Sequence, residues 1–390
     1  MHINGPINVW RLEGTINDIH KILYIYSDVH YPIESQTQCN TYDSIDLVTY
    51  FNNELFKKKK EIDFFMEVRY KDITNYNKKF DTIRDKYMID TAQLFFQNFK
   101  KHNNIRFHYT DIRDKSDSLY KEIISRLDYK ISDEQSYNTI NNTLFILKSL
   151  LTDLLHLSKG EFNYIISKIK SFNSTSTIFY RYFLKDYLYI FTKLLYKYNN
   201  QNIKQLMTVI MHDTEQQIIN LQKLTIELHN NINEQYNANK KYKTFDDVYT
   251  EQKVNKTDDI IVGVDSEYLA SLSYNVDVLQ SKIIDKLTNL FSWLVDFYFM
   301  RRFLDKNYIV NSILYCGAYH SMRVTQYLIK KLGFKLTHIA YYNTSIVKDK
   351  TLITDYIKNS TLDNDNLFKL LFPKKPIQCS DISDFPDNFD

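Results

Sequence analysis

Asn311-Ser-Ile-Leu-Tyr-Cys-Gly-Ala-Tyr-His320 decides the fold, together with Ser321 to Gly333 behind it. The apolar run reads as a buried strand and Gly317 as a turn that ends in a histidine. From Ser321 onward the chain reads as a helix closed by Leu332-Gly333, because glycine adopts the left-handed conformation that ends helices at little cost. The first third of the chain carries a partner, Lys21-Ile-Leu-Tyr-Ile-Tyr-Ser-Asp-Val-His30. Two apolar strands thus each deliver a histidine at the carboxyl end, the edge where open α/β sheets bind ligands.

Working outward, Ile62-Asp-Phe-Phe-Met-Glu-Val-Arg69 and Ile105-Arg-Phe-His-Tyr-Thr-Asp-Ile-Arg113 read as two more buried strands ending in polar groups. Helical spacing fills the intervals, over Ser44 to Lys60 and Thr91 to Lys101. Strand alternating with helix predicts an α/β fold, a mostly parallel central sheet flanked by helices. From Leu119 to about Asn239 the periodicity is helical, as in Leu144 to Leu155, Phe179 to Tyr198 and Ile203 to Ile232. Lys240 to Asp259 reads as polar loop, Asp258 to Asp265 as a short strand or loop, and Val276 to Leu304 as a long helix. Leu336 to Tyr341 adds a last strand, residues 8–17 form a lead-in, and Gln378 to Asp390 is an acidic, frayed end. The resulting division is an α/β core in two parts, 1–118 and 306–345. A large all-helical insertion, 119–305, separates them and is expected to border the site; a C-terminal tail, 346–390, completes the chain.

A chain of 390 residues suits one large domain or two. A net charge of +3 points to no nucleic-acid surface. Lys, Asn, Ile and Tyr abound while Gly and Pro are scarce, the bias of an AT-rich genome such as those of some large DNA viruses, parasites or low-GC bacteria. Cys39, Cys316 and Cys379 show no metal-like spacing, imply no disulfide framework and favour a reducing compartment. No signal peptide and no membrane span are expected. The chain therefore reads as cytoplasmic, in a host cytoplasm or a virion if viral, and not secreted. Glycine-rich phosphate loops, a G-x-S-x-G elbow and CxxC pairs are missing from the sequence.

The strand ends gather His30, Glu67 with Arg69, His108 with Asp111 and Arg113, and His320. Two imidazoles and a carboxylate suit a divalent transition metal with open positions for water and substrate. Without metal, the same groups suit a histidine base beside a glutamate that orients water. Glu67 ends an apolar run, and burial raises a carboxyl pKa unless Arg69 or a metal compensates. Arg69 is equally a salt-bridge partner for Glu67. His108 could face either side of the sheet. Tyr31 and Tyr319 flank the histidines.

Gly317-Ala-Tyr-His320, after an apolar strand and before a helix, resembles the second Gly-x-x-His motif of the TraB/Tiki superfamily. That superfamily includes ChaN-like and erythromycin-esterase-like proteins. Ser27-Asp-Val-His30 stands where the first Gly-x-x-His motif falls, and Phe65-Met-Glu67-Val-Arg69 matches the strand that ends in Glu with a nearby Arg. The resemblance spans roughly residues 20–113 and 308–342, and it departs at Ser27, where glycine is usual. It implies a hydrolase-like site: Tiki members resemble metal-dependent proteases, erythromycin-esterase members cleave an ester, and ChaN-like members bind haem. By position, His30, Glu67 and His320 would be metal ligands or would activate water on a peptide or ester. Arg69, or else Arg113, would stabilise an oxyanion or a substrate carboxylate. His108, Asp111, Arg113 and Tyr319 would line the substrate rim.

Two rival readings stand beside this one. Asp28-Val-His30 also resembles the Asp-x-His that opens calcineurin-like metallophosphoesterases, but the later Gly-Asn-His and Gly-His-x-His blocks are missing. Alternatively, the chain is a catalytically degenerate viral structural or host-interaction protein that meets a protein partner through its helical insertion.

Overall fold

The structure, a computed structural model, describes residues 1–30, 38–57, 60–69, 86–98, 104–113, 117–131, 133–170, 188–196, 198, 200–251, 261–360, 364–375, 377–386 and 389. Its strands are β1 (His2–Asn4), β2 (Asn8–Ile16), β3 (Ile19–Asp28), β4 (Ser44–Asp46), β5 (Ile62–Met66), β6 (Ile105–Tyr109), β7 (Asn311–Gly317), β8 (Lys335–Ile339) and β9 (Cys379–Asp381). Its α-helices are α1 (Leu47–Glu54), α2 (Lys86–Asn98), α3 (Asp117–Leu127), α4 (Glu134–Ser158), α5 (Phe162–Lys170) and α6 (Tyr189–Tyr196). They continue with α7 (Gln201–Asp213), α8 (Glu215–Glu251), α9 (Ile261–Asp305), α10 (Ala318–Leu332), α11 (Ile353–Asn359) and α12 (Asn364–Leu371).

The chain divides into two compact units, residues 1–114, 198–206 and 292–390 in one, 115–197 and 207–291 in the other. The first holds the six-stranded sheet, in the order β6-β5-β7-β3-β2-β8. β6, β5, β7 and β3 run parallel, and β2 and β8 join antiparallel at one side. Alternation along each strand sorts the side chains between two faces. Tyr24, Tyr26, Phe64, Met66, Ile313 and Tyr315 pack with Phe51 of α1, Phe95 of α2 and the C-terminal Phe385 and Phe389. On the other face Phe65 meets Phe299 of α9 at 5.0 Å between ring centroids, and Cys316 meets Ser321 of α10. Each fully buried aromatic contributes about 1.5–3 kcal/mol.

This arrangement sets the site. The connections through α1 and α2 lie on one face, while α9 and α10 lie on the other. The parallel strands β5 and β7 are neighbours that β5's helix leaves on one side and β7's helix on the other. That makes the gap between their carboxyl ends the topological switch point.

Several expectations need correction. Residues 8–17 are not a lead-in: Asn8–Ile16 is a strand that pairs along its length with β3. Its turn residues Asn17 and Asp18 have φ of 49° and 63°, the left-handed pair of a two-residue hairpin. The described residues of the tail carry regular structure as well. α11 and α12 fall within 346–390, β9 pairs with β1, and Phe385 and Phe389 are buried, so two aromatics anchor an end that its acidic residues disguise. β1 lies between β4 and β9 in a small second sheet.

The second unit consists of helices among its described residues. In it α4 packs on α8, with Tyr137 stacked on Tyr236 at 3.9 Å. The boundary placed at 305 falls too late. Ser292–Asp390 belongs to the sheet unit, where Phe299 of α9 packs on Phe65 and Phe303 on Phe334. The polar stretch from Lys240 is helical as far as Glu251, and 252–259 lie outside the described residues. Residues 261–265 open α9 rather than a strand, with 258–260 outside the described residues. Tyr31 and residues 179–187 and 197 of the helix read over Phe179 to Tyr198 also lie outside them. Among the described residues no helix is long and apolar enough to cross a membrane.

The expectation of no disulfide framework is corrected as well. Cys39 and Cys379 form a disulfide with their Cα atoms 4.9 Å apart, and Cys316 is a buried free thiol. Their sequence separation of 340 hid the pair. Only the small sheet, which seats β9 on β1 and leaves the Cys39 N–H donating to Asn4, brings them together.

Candidate functional site

The register Asp28↔Gly317 and Met66↔Tyr315 brings the ends of β3, β5 and β7 to one level. Glu67 comes directly after β5, and its backbone N–H donates to Tyr315 O at 3.0 Å. Its side chain, 7% exposed, is ringed by donors. Oε2 accepts the Gly317 N–H at 2.8 Å and lies 3.8 Å from His30 Nε2. Oε1 lies 3.0 Å from His320 Nε2 and 3.1 Å from an Arg113 nitrogen. Burial alone would push this carboxyl up; His320, His30 and Arg113 outweigh it and hold Glu67 well below the ordinary range.

His320 sits in the first turn of α10 and is buried. Its Nδ1 lies 2.6 Å from Asp296 Oδ1 on α9. Burial disfavours the imidazolium, but carboxylates at both ring nitrogens, Glu67 and Asp296, win and raise its pKa. Asp296 is shared: its Oδ2 accepts from Arg323 Nε at 2.7 Å, and another Arg323 nitrogen donates to Ser292 at 2.7 Å. The sequence reading missed Asp296, Ser292 and Arg323. The signal was a single acid in the apolar run Leu294-Val-Asp-Phe-Tyr-Phe299, on the helix before the one that carries His320.

His30 is half-buried, with a left-handed φ of 52°. That conformation costs a non-glycine residue about 1–3 kcal/mol. Asp28 holds it by accepting the His30 N–H at 3.0 Å. Asp28 also accepts from Tyr315 Oη at 2.9 Å and Gln378 Nε2 at 3.2 Å, and burial pushes its carboxyl up. The acid of Asp28-Val-His30 is therefore spent on the turn. Ser27, the departure from the family motif, is buried in β3 opposite Cys316.

Arg113 forks onto Asp111 with two bonds of 2.9 Å, and Arg69 Nε donates to the same carboxylate at 3.2 Å. The structure thus gives Glu67's guanidinium partner as Arg113 and pairs Arg69 with Asp111, because β6 ends beside β5 and presents Arg113 across the gap. Burial raises the Asp111 carboxyl, and Arg113 more than offsets it. His108 lies elsewhere. It stacks on Phe65 at 4.5 Å and meets Asp63 Oδ1 at 2.7 Å, one register pair down β6 from the strand end. Tyr319 is exposed and packs against Phe368 of α12. The structure therefore brings together His30, Glu67, His320, Arg113, Asp111 and Arg69, and leaves His108 with Asp63.

A divalent transition metal would need two imidazoles and a carboxylate with lone pairs free. The residue types fit, and in this structure other donors surround the carboxylate. Both Glu67 oxygens accept from donors, and Arg113 places a cation beside them. Among the described residues no three His, Cys, Asp or Glu side chains are grouped to hold an ion.

Three uncharacterized proteins of Acanthamoeba polyphaga mimivirus are similar to the chain from end to end. They are 30%, 29% and 28% identical, over 100%, 99% and 99% of this chain and 98%, 96% and 97% of their own lengths. The relatives thus come from a giant virus, one of the sources that the composition suggested. No solved structure matches. The family match runs over residues 1–390, and the chain belongs to DUF5847, a family of unknown function.

Proposed function

We propose that this protein is a hydrolase of the TraB/Tiki type that acts on a peptide or ester. One observation carries the reading. His30, held in a strained left-handed conformation, stands half-exposed over a buried carboxylate at the switch point of the sheet. Strained residues persist where the surroundings over-determine them, and they gather at active sites.

Each group then has a task. With its Nε2–H turned to Glu67, His30 takes a proton from water at Nδ1, and the water oxygen attacks the substrate carbonyl. Glu67 balances the imidazolium that forms. The proton passes from His30 to the leaving alcohol or amine as the scissile bond breaks. His320, flanked by two carboxylates, keeps both ring nitrogens protonated and fixes Glu67. Arg113 and Arg69 stabilise the oxyanion, and Tyr319 lines the rim.

Turnover of a panel of aryl esters and chromogenic peptides tests this. Glu67→Gln should keep its circular dichroism and lose turnover; a fully active variant sinks the proposal.

A metal-dependent form of the reading is favoured by Asp296. A carboxylate behind one nitrogen of a histidine is the usual support of a metal ligand. In that form His30, Glu67 and His320 would hold a divalent transition metal, which would supply a Lewis acid for the attacking water. Elemental analysis of the wild type beside His30→Ala/His320→Ala decides: near-stoichiometric metal, lost in the variant, selects it.

A non-catalytic reading rests on the exposed Phe145 and Tyr274 of the helical unit. In it, the helical unit binds a protein partner, and the double histidine variant keeps that binding.

A further inference from the structure

Cys379 lies far from the charged cluster in sequence, yet its neighbour Gln378 reaches it. Cys39 belongs to the β3–β4 connection that leaves His30. Cys379 opens β9 directly after Gln378, which is 1% exposed. Gln378 Nε2 donates to Asp28 Oδ1, the same oxygen that accepts the His30 N–H. Its carbonyl accepts the Gly5 N–H at 3.1 Å. Around β9, Asp381 pairs with the Met1 amine and His2, and Ile382 and Phe385 are buried just beyond it. The strand pairs with β1 over three residues, Ser380 donates to Pro6 O, and Ile382 N–H reaches Met1 O. An edge strand this short has little stability of its own.

We propose that the Cys39–Cys379 disulfide is a redox latch on His30: closed, it keeps β9 and Gln378 against Asp28; opened, it releases Asp28 and with it the left-handed turn of His30. The chemistry balances with a dithiol reductant. One reductant thiolate attacks a cysteine sulfur and the S–S bond breaks. The second then displaces that cysteine from the mixed disulfide. Two electrons pass to the protein, the two reductant protons end on Cys39 and Cys379, and the reductant leaves as a cyclic disulfide. The latch does not depend on the reaction that the site performs, and its test does not need turnover.

Hydrogen exchange on the full chain, with and without dithiothreitol, reads it directly. Reduction should speed exchange in peptides covering 24–30 and 377–385 by at least about tenfold while those covering 62–66 and 105–109 hold, a local opening rather than unfolding. Cys39→Ser/Cys379→Ser should match the reduced wild type and not respond to dithiothreitol. Gln378→Leu, with the disulfide intact, should speed 24–30 alone. Two results overturn the proposal: alkylation of freshly isolated protein that finds Cys39 and Cys379 as free thiols, or unchanged exchange over 24–30 on reduction.

Discussion

His30 Nε2 lies so close over Gly317 that a Cβ added there would come within 2.6 Å of it, and within 3.3 Å of Glu67 Oε2. Gly317 has φ −61° and ψ 154°, which any residue adopts, so the site needs its missing side chain and not its flexibility. Gly317→Ala should push His30 away from Glu67. Half-exposed, His30 can yield, so the stability loss should sit near the low end of the ~1–3 kcal/mol of overpacking. Turnover should fall about a hundredfold or more, the cost of a reacting group misplaced by ~1 Å. Melting curves and ester turnover check both parts; full activity in Gly317→Ala would show that His30 and Glu67 do not work as a pair.

Asp296 is the counter-charge of a buried set. It takes Arg323 on one oxygen and His320 on the other, and all three side chains are buried. Removing one partner of such a set leaves uncompensated charge out of water. Asp296→Ala should therefore cost about 3–5 kcal/mol in urea unfolding. Asp296→Asn keeps the shape and one acceptor and should cost less. A loss under ~1 kcal/mol for the alanine variant would mean that the set does not form.

Asp63 gives the clearest pH dependence away from the site. Burial pushes its carboxyl up from 3.8, and Arg106 and His108 outweigh that and pull it below. Because the folded pKa is the lower, this group's stabilisation is fully present above the unfolded value. It is lost as pH falls through the folded one. Wild type should thus lose stability below about pH 4 faster than Asp63→Asn, whose curve lacks that contribution. Parallel acid limbs in denaturant titrations would refute the pairing.

The parallel strands were legible because their central residues are continuous apolar runs, as in Phe64-Phe-Met66 and Ile313-Leu-Tyr315. The convergence of His30, Glu67 and His320 came from strand direction alone. What escaped was set by tertiary contacts. His108 is fixed on the face of Phe65 and Asp63 by alternation along β5 and β6, a register that only the paired strands reveal. Asp296 reaches His320 from another helix, and Arg113 displaces the nearer Arg69 as the partner of Glu67. The Cys39–Cys379 bond depends on three-residue strands that carry almost no signal of their own.

The strand β2 escaped for a different reason, and its turn is open to test. Arg11 and Glu13 interrupt its apolar pattern, yet Arg11 is buried and paired with Glu13 and Tyr24. The informative residues are Asn17 and Asp18, which close the hairpin with Ile16 opposite Ile19. Both have positive φ, which Asn and Asp tolerate and glycine prefers. Asp18→Gly should therefore raise stability by up to ~1 kcal/mol. Asp18→Val, β-branched in a left-handed position, should lower it by about 1–2 kcal/mol. Both shifts should appear in the urea midpoint at unchanged slope. If both variants destabilise alike, the turn is not left-handed. The β2–β3 register, which places Ser27 opposite Asn8 and sets the level of His30, would then need to be redrawn.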